Sequence, residues 1–169
     1  TSAEYEEKFE ERNLTEIQHL PKEKALVYID GRRTWRILAN LYNNAAKYAM
    51  TGSRIYTDLK VTEGAVIFSI KNISEQPLNI SADELTERFV RGDVSRTTEG
   101  SGLGLSIAQN LTTLQKGKFE IYLDGDLFRV TLTFPRVKVD SSEKTEEAVS
   151  QENGENQEVI MDAGEKDAH

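Results

Sequence analysis

The chain predicts a two-layer α/β sandwich in which helices cover one face of a mixed sheet. Three observations carry that prediction. Five segments read as strands, two long segments repeat apolar residues at helical spacing, and the two kinds interleave along the chain instead of forming blocks.

Taken in order, Ala25-Leu26-Val27-Tyr28-Ile29 is a short apolar strand that stops at the turn signal Asp30-Gly31. A helix follows from about Arg32 to Met50, with Trp35, Leu38, Tyr42, Ala45 and Ala49 as the side expected to pack on the sheet. Arg54 to Lys60 and Gly64 to Ile70 are strands joined around Thr62-Glu63-Gly64. Pro77 to Gly100 is polar with scattered apolar residues. A connection of that length inside a compact domain is often functional, and a mobile lid is one such use. Leu103 to Gln115 is the second helix, its core side expected from Leu105, Ala108, Leu111 and Leu114 with Ile107 beside them. Lys118 to Leu123 alternates Phe119, Ile121 and Leu123 onto one face. Asp124-Gly125-Asp126 then turns the chain into Leu127 to Phe134, where Phe128, Val130, Leu132 and Phe134 alternate again.

With 169 residues the chain makes about one domain. It has no cysteine, which excludes disulfides and thiolate metal sites. No apolar run approaches the roughly 18 residues of a membrane span, and Thr1-Ser2-Ala3-Glu4 does not open a signal peptide. A soluble, intracellular chain is expected, and the missing initial methionine suggests a piece of something longer. The net charge of −8 is concentrated at one end. Residues 140–169 hold ten acidic residues against Lys144 and Lys166, which leaves 19 acidic and 19 basic residues before them. That final stretch has no aromatic residue and too little apolar surface to offset ordering entropy. The expected division is a folded domain over 1–138 and a disordered, solubilising acidic tail over 139–169. No nucleic-acid partner is expected.

Two segments carry chemistry. Gly100-Ser101-Gly102-Leu103-Gly104-Leu105 places three alternating glycines directly before the second helix. Glycine lets backbone approach a ligand closely, and a helix N-terminus offers unpaired N–H groups and partial positive charge to an anion. A phosphate cradle is the chemical suggestion; a tight turn before an ordinary helix is the plainer one. On the first helix, Asn40, Asn44 and Lys47 fall within roughly 60° of one another at about 100° per residue. Carboxamide oxygens can ligate Mg²⁺, and a lysine one turn on can meet the same phosphates. Asn is a poor helix former, so two of them at i and i+4 call for a reason beyond a solvated face.

Together these residues resemble the GHKL ATPase superfamily, and within it the catalytic ATP-binding domain of sensor histidine kinases. Asn40-Leu41-Tyr42-Asn43-Asn44-Ala45-Ala46-Lys47-Tyr48 looks like the family's N-box, Glu87-Arg88-Phe89-Val90-Arg91-Gly92-Asp93 like its F-box region, and Glu99 to Leu105 like its second glycine box. The resemblance covers about Leu20 to Pro135. It implies ATP and Mg²⁺ as cofactors, with Asn44 as metal ligand and Asn40 supporting the metal and phosphates. Asn44 and Lys47 would be the residues closest to the chemistry, Lys47 on phosphate, and Tyr48 would line the pocket. Arg91 and Arg96 would belong to a lid between Phe89 and Gly100. Gly100, Gly102, Leu103, Gly104 and Leu105 would form the triphosphate loop.

The resemblance has a departure and a gap. Where the family has Asp-x-Gly-x-Gly, this chain reads Lys71-Asn72-Ile73-Ser74-Glu75-Gln76-Pro77. Asn72 stands at the Asp position, so it would accept the adenine amino group without charge assistance, which roughly halves such a bond. Thr86 replaces an F-box aromatic. No phosphoacceptor motif surrounds His19, which is followed by Leu20-Pro21-Lys22, or His169. The implied partners are therefore a dimerisation and histidine phosphotransfer domain elsewhere in the parent and a response regulator. The parent is expected to be a membrane-anchored homodimer with this domain in the cytoplasm, and the fragment by itself a monomer. Two other readings stay open: a degenerate, non-catalytic nucleotide-binding module, and a GHKL serine kinase of the anti-sigma type.

Overall fold

A computed structural model describes residues 2–78, 103–137 and 159–161. A 3-10 turn (Ser2–Tyr5) leads into α1 (Glu6–Glu10), β1 (Thr15–His19), β2 (Ala25–Val27), α2 (Gly31–Tyr48), β3 (Arg54–Val61) and β4 (Ala65–Ile73). Then come α3 (Gly104–Leu114), β5 (Lys118–Asp124), β6 (Leu127–Val137) and β7 (Val159–Met161). The sheet runs β1-β3-β4-β6-β2-β7, with β5 beside β6. β1 is parallel to β3 and every other pair is antiparallel, so the sheet is mixed as expected. Thr86, Glu87–Asp93, Arg96, Gly100, Gly102 and His169, and most of 139–169, lie outside the described residues. Within that last stretch Val159-Ile160-Met161 pairs with Ala25–Val27.

Period-two alternation decides which face is covered. Ile55 and Thr57 on β3, Val66, Ile70 and Asn72 on β4, and Phe128, Val130, Leu132 and Phe134 on β6 are all buried under α2 and α3. Each such aliphatic or aromatic side chain contributes about 1.5–3 kcal/mol relative to exposure. Gly117 lets α3 turn into β5 over this core. A Cβ there would lie 2.5 Å from the Phe134 ring.

α2 begins at Asp30, whose Oδ1 accepts from Arg33 N at 3.0 Å. The Asp30-Gly31 turn signal is thus a helix N-cap. The apolar side of α2 proves to be two surfaces. Thr34, Ile37, Leu41 and Ala45 lie within about 80° of one another and face the sheet. Ala39, Tyr42 and Ala46 lie on an adjoining side, covered by the N-terminal segment. Tyr5 and Phe9 pack on Tyr42 with ring centroids 5.4 and 6.0 Å away. Burial, with Glu4 nearby, pushes the Tyr5 phenol up, and its hydroxyl donates to Ala39 O at 3.1 Å.

Two expected core residues are corrected. Trp35 is 52% exposed because it lies about 100° round the helix from Thr34, off the sheet-facing surface, and Glu4 accepts from its indole at 3.3 Å. Leu114 is 67% exposed and Thr112 is buried in its stead. A strict three-residue spacing drifts around a helix of 3.6 residues per turn, so the ninth residue after Leu105 lies about 180° away while the seventh returns to within about 20°. The Thr112 hydroxyl is satisfied by Ala108 O at 2.7 Å.

His19 ends β1 on the open face of the sheet, with Nδ1 2.8 Å from Asp58. Lys71 reaches the same carboxylate at 3.3 Å. Burial pushes Asp58 up, but the His19 hydrogen bond and the Lys71 charge outweigh it and hold Asp58 below the usual carboxylate range. A carboxyl lowered by folding stabilises the fold above its unfolded value of about 3.9 and loses that contribution as pH falls through the folded value. Denaturant unfolding should therefore find Asp58→Asn less stable than the unaltered chain at pH 7, with the gap closing as pH falls below about 4. A gap independent of pH would contradict the assignment.

Candidate functional site

Three pieces converge at one end of α2. Asn40, Asn44 and Lys47 form a half-buried line beside the sheet-facing surface. α3 approaches that line so closely that a Cβ on Gly104 would sit 3.1 Å from Asn40 Oδ1. Asn40 Nδ2 donates to Arg36 O at 2.9 Å, and its oxygen is the atom beside Gly104. The Asn44 carboxamide hydrogen-bonds to nothing among the described residues. The Lys47 ammonium lies 5.1 Å from the ring centre of Tyr48, which is 45% exposed.

α3 begins next to these groups with no capping side chain among the described residues. Leu103 carries the N-cap position, and its carbonyl takes Ile107 N at 2.9 Å and Ser106 Oγ at 2.8 Å. The first-turn amides are left with partial positive charge aimed outward. Leu105 is buried in the core, so it reaches the site through its backbone only.

The third piece is the end of β4. The strand extends to Ile73, three residues beyond its expected end at Ile70, so the degenerate glycine box starts inside the sheet. Asn72 sits on the helix-covered face, 4% exposed, with Nδ2 donating to Ile73 O at 3.2 Å. That assignment leaves Oδ1 as an acceptor without a partner among the described residues. Met50 N to Ile73 O (2.8 Å), Glu75 N to Tyr48 O (2.9 Å) and the Ala49–Ser74 bridge stitch this strand end to the end of α2. Arg91, Arg96, Gly100 and Gly102 lie outside the described residues.

The donor set suits Mg²⁺ held with a phosphate ligand. Two carboxamide oxygens one helical turn apart supply neutral, hard donors, and Mg²⁺ keeps waters and takes substrate phosphates for the remainder. Among the described residues no group of three His, Cys, Asp or Glu could hold a metal by itself.

A family model described as histidine kinase-, DNA gyrase B-, and HSP90-like ATPase matches residues 29–150. The chain belongs to this family. Within it, the match is to the catalytic ATPase domain of sensor histidine kinases. The adaptive-response sensory kinase SasA of Synechocystis sp. is 31% identical over 134 residues, 76% of this chain and 34% of that protein. The sensor histidine kinase CusS of Escherichia coli is 31% identical over 102 residues, 59% of this chain and 21% of that protein. The catalytic domain of the histidine kinase ThkA superposes with a TM-score of 0.68 at 24% identity, covering 79% of this chain and 86% of that one. The chain spans 27%, 9% and 34% of three further curated relatives.

Arg12, Thr51 and Glu75, which tie the end of α2 in place, gave no signal in the sequence, where Arg12 is one charge in a charged run. The Asn40–Gly104 contact yields a test. Gly104→Ala should retain or raise the melting temperature, because alanine suits a helix better by up to about 1 kcal/mol. The displaced Asn40 should nonetheless weaken Mg·ATP binding several-fold in calorimetry; unaltered affinity would remove Asn40 from the site.

Proposed function

We propose that this chain binds Mg·ATP between α2 and the start of α3 and presents the γ-phosphoryl group to a histidine on another domain of a sensor kinase, for onward transfer to a response regulator. The observation that carries the reading is the contact of Gly104 with Asn40, which joins the carboxamide line to the N-terminus of α3. Asn44 is the metal ligand and Asn40 its support. Lys47 faces phosphate, the α3 amides cradle phosphate oxygens, and Tyr48 lines the pocket. Arg91, Arg96, Gly100 and Gly102 complete the enclosure. Asn72 accepts the adenine amino group through Oδ1.

Phosphoryl transfer depends on positioning and electrostatics more than on protein nucleophiles. Mg²⁺, which Asn44 would hold with Asn40 in support, would supply positive charge that offsets the charge developing on the phosphates. The residues on this chain supply the cradle, and the acceptor comes from a dimerisation and phosphotransfer domain of a membrane-anchored homodimeric parent. His19 supports this division, since it is tied to Asp58 on the sheet face opposite the helices.

Calorimetry with and without Mg²⁺ tests the metal assignment. Asn44→Ala should abolish the magnesium dependence of ATP binding while melting stays near that of the unaltered chain; unchanged dependence would exclude Asn44. The adenine assignment is tested separately. Asn72→Asp should tighten ATP binding by about 1 kcal/mol by restoring a charged acceptor. Equal affinity in Asn72→Asp and Asn72→Ala would show that adenine is held by other groups.

A further inference from the structure

We propose that Arg12 is a positioning residue for the nucleotide site, through which the segment before β1 sets the placement of Lys47 relative to the strand bearing Asn72. The inference rests on the nucleotide reading above and adds a residue outside the matched region, which starts at 29.

The last four carbonyls of α2 have no helical partners beyond the helix's own end and must be satisfied otherwise. Ala45 O takes Ala49 N at 2.9 Å and Tyr48 O takes Glu75 N at 2.9 Å. The two between them, Ala46 O and Lys47 O, are both taken by Arg12 Nη1, the first at 2.8 Å. Arg12 Nη2 meanwhile donates to Thr51 Oγ1 at 3.1 Å and pairs with Glu75. One planar guanidinium thus holds the carbonyl of the phosphate-side lysine and Glu75, two residues past the end of the adenine-side strand. Its charge also sits at the negative end of the α2 dipole.

The place of Arg12 is dictated from its own side as well. Its carbonyl accepts Gly52 N at 3.0 Å. The preceding turn is anchored by Phe9 on Tyr42 and by Lys8 donating to Asn43 Oδ1 at 2.9 Å. A shift of this segment therefore moves the guanidinium, and with it the backbone that carries Lys47. Lysine cannot replace the fork, because a single ammonium does not span the two carbonyls and Glu75 together.

The test is calorimetric titration of this chain with Mg·ATP at a temperature where circular dichroism shows every variant folded. Arg12→Ala should weaken binding about five- to tenfold, and Arg12→Lys about threefold. The loss from Arg12→Ala should vanish in a Lys47→Ala background, because Arg12 acts through that side chain. A purely structural cap would lower melting temperature in both backgrounds and leave the affinity of the folded protein unchanged, and that result overturns the inference. If Arg12→Ala does not fold, unchanged affinity in Arg12→Lys overturns it equally. Absence of nucleotide binding by the unaltered chain overturns the nucleotide reading and this inference with it. Normal binding that loses its magnesium dependence in Asn44→Ala but is indifferent to Arg12 overturns this inference alone.

Discussion

The closure of α2 onto the end of β4 is the constraint on which the site depends. A helix end must find partners for its final carbonyls, and here they come from three directions: its own C-cap, Glu75 after β4, and Arg12 before β1. Satisfying those groups fixes the helix axis against the sheet. It also brings the strand carrying Asn72 beside the turn carrying Lys47 and Tyr48. A buried carbonyl left without a partner would cost about 1–3 kcal/mol, so this geometry is enforced by hydrogen bonding and not by packing alone.

The other end of the helix pair is fixed by a second set of contacts. Asp30 N donates to Gln115 Oε1 at 2.7 Å, tying the end of α3 to the start of α2. The close approach at Gly104 completes the pairing. α2 therefore serves three neighbours at once: the sheet through Ile37 and Leu41, the N-terminal segment through Tyr42 and Ala46, and α3 through Asn40. The polar line of Asn40, Asn44 and Lys47 is what remains between the sheet-facing surface and solvent. Such a line is inexpensive to keep polar because it stays half-exposed.

Electrostatic logic links this placement to the family. Two neutral oxygens, one ammonium and an open helix start gather attraction for an anion without burying a net charge pair. Asn72, where the family has an acid, lies on the buried face of β4 with its Nδ2 donating to Ile73 O. Ser74, where a glycine is usual in the family, is accommodated because its backbone pairs with Ala49 and its amide donates to Asp126 O at 2.7 Å.

Much of the fold was legible in the sequence, because strand and helix periods are local properties. β3, β5 and β6 follow from alternation, α2 and α3 from helical spacing, and the Asn and glycine motifs from residue type. β1 was not legible: Thr15-Glu16-Ile17-Gln18-His19 has one aliphatic residue, and its strand state comes from edge pairing with β3. The single-stripe reading of α2 failed for a related reason. Periodicity reports that a side is apolar, but not which element covers it, so Trp35 is left exposed while Tyr42 is buried. By itself the sequence determined the family motifs and the layered architecture. Only the tertiary structure decided that Asn40 meets Gly104, that Asn72 faces the helices, and that Arg12 closes α2, because each joins residues at least 24 positions apart through packing and hydrogen bonds that no local pattern encodes.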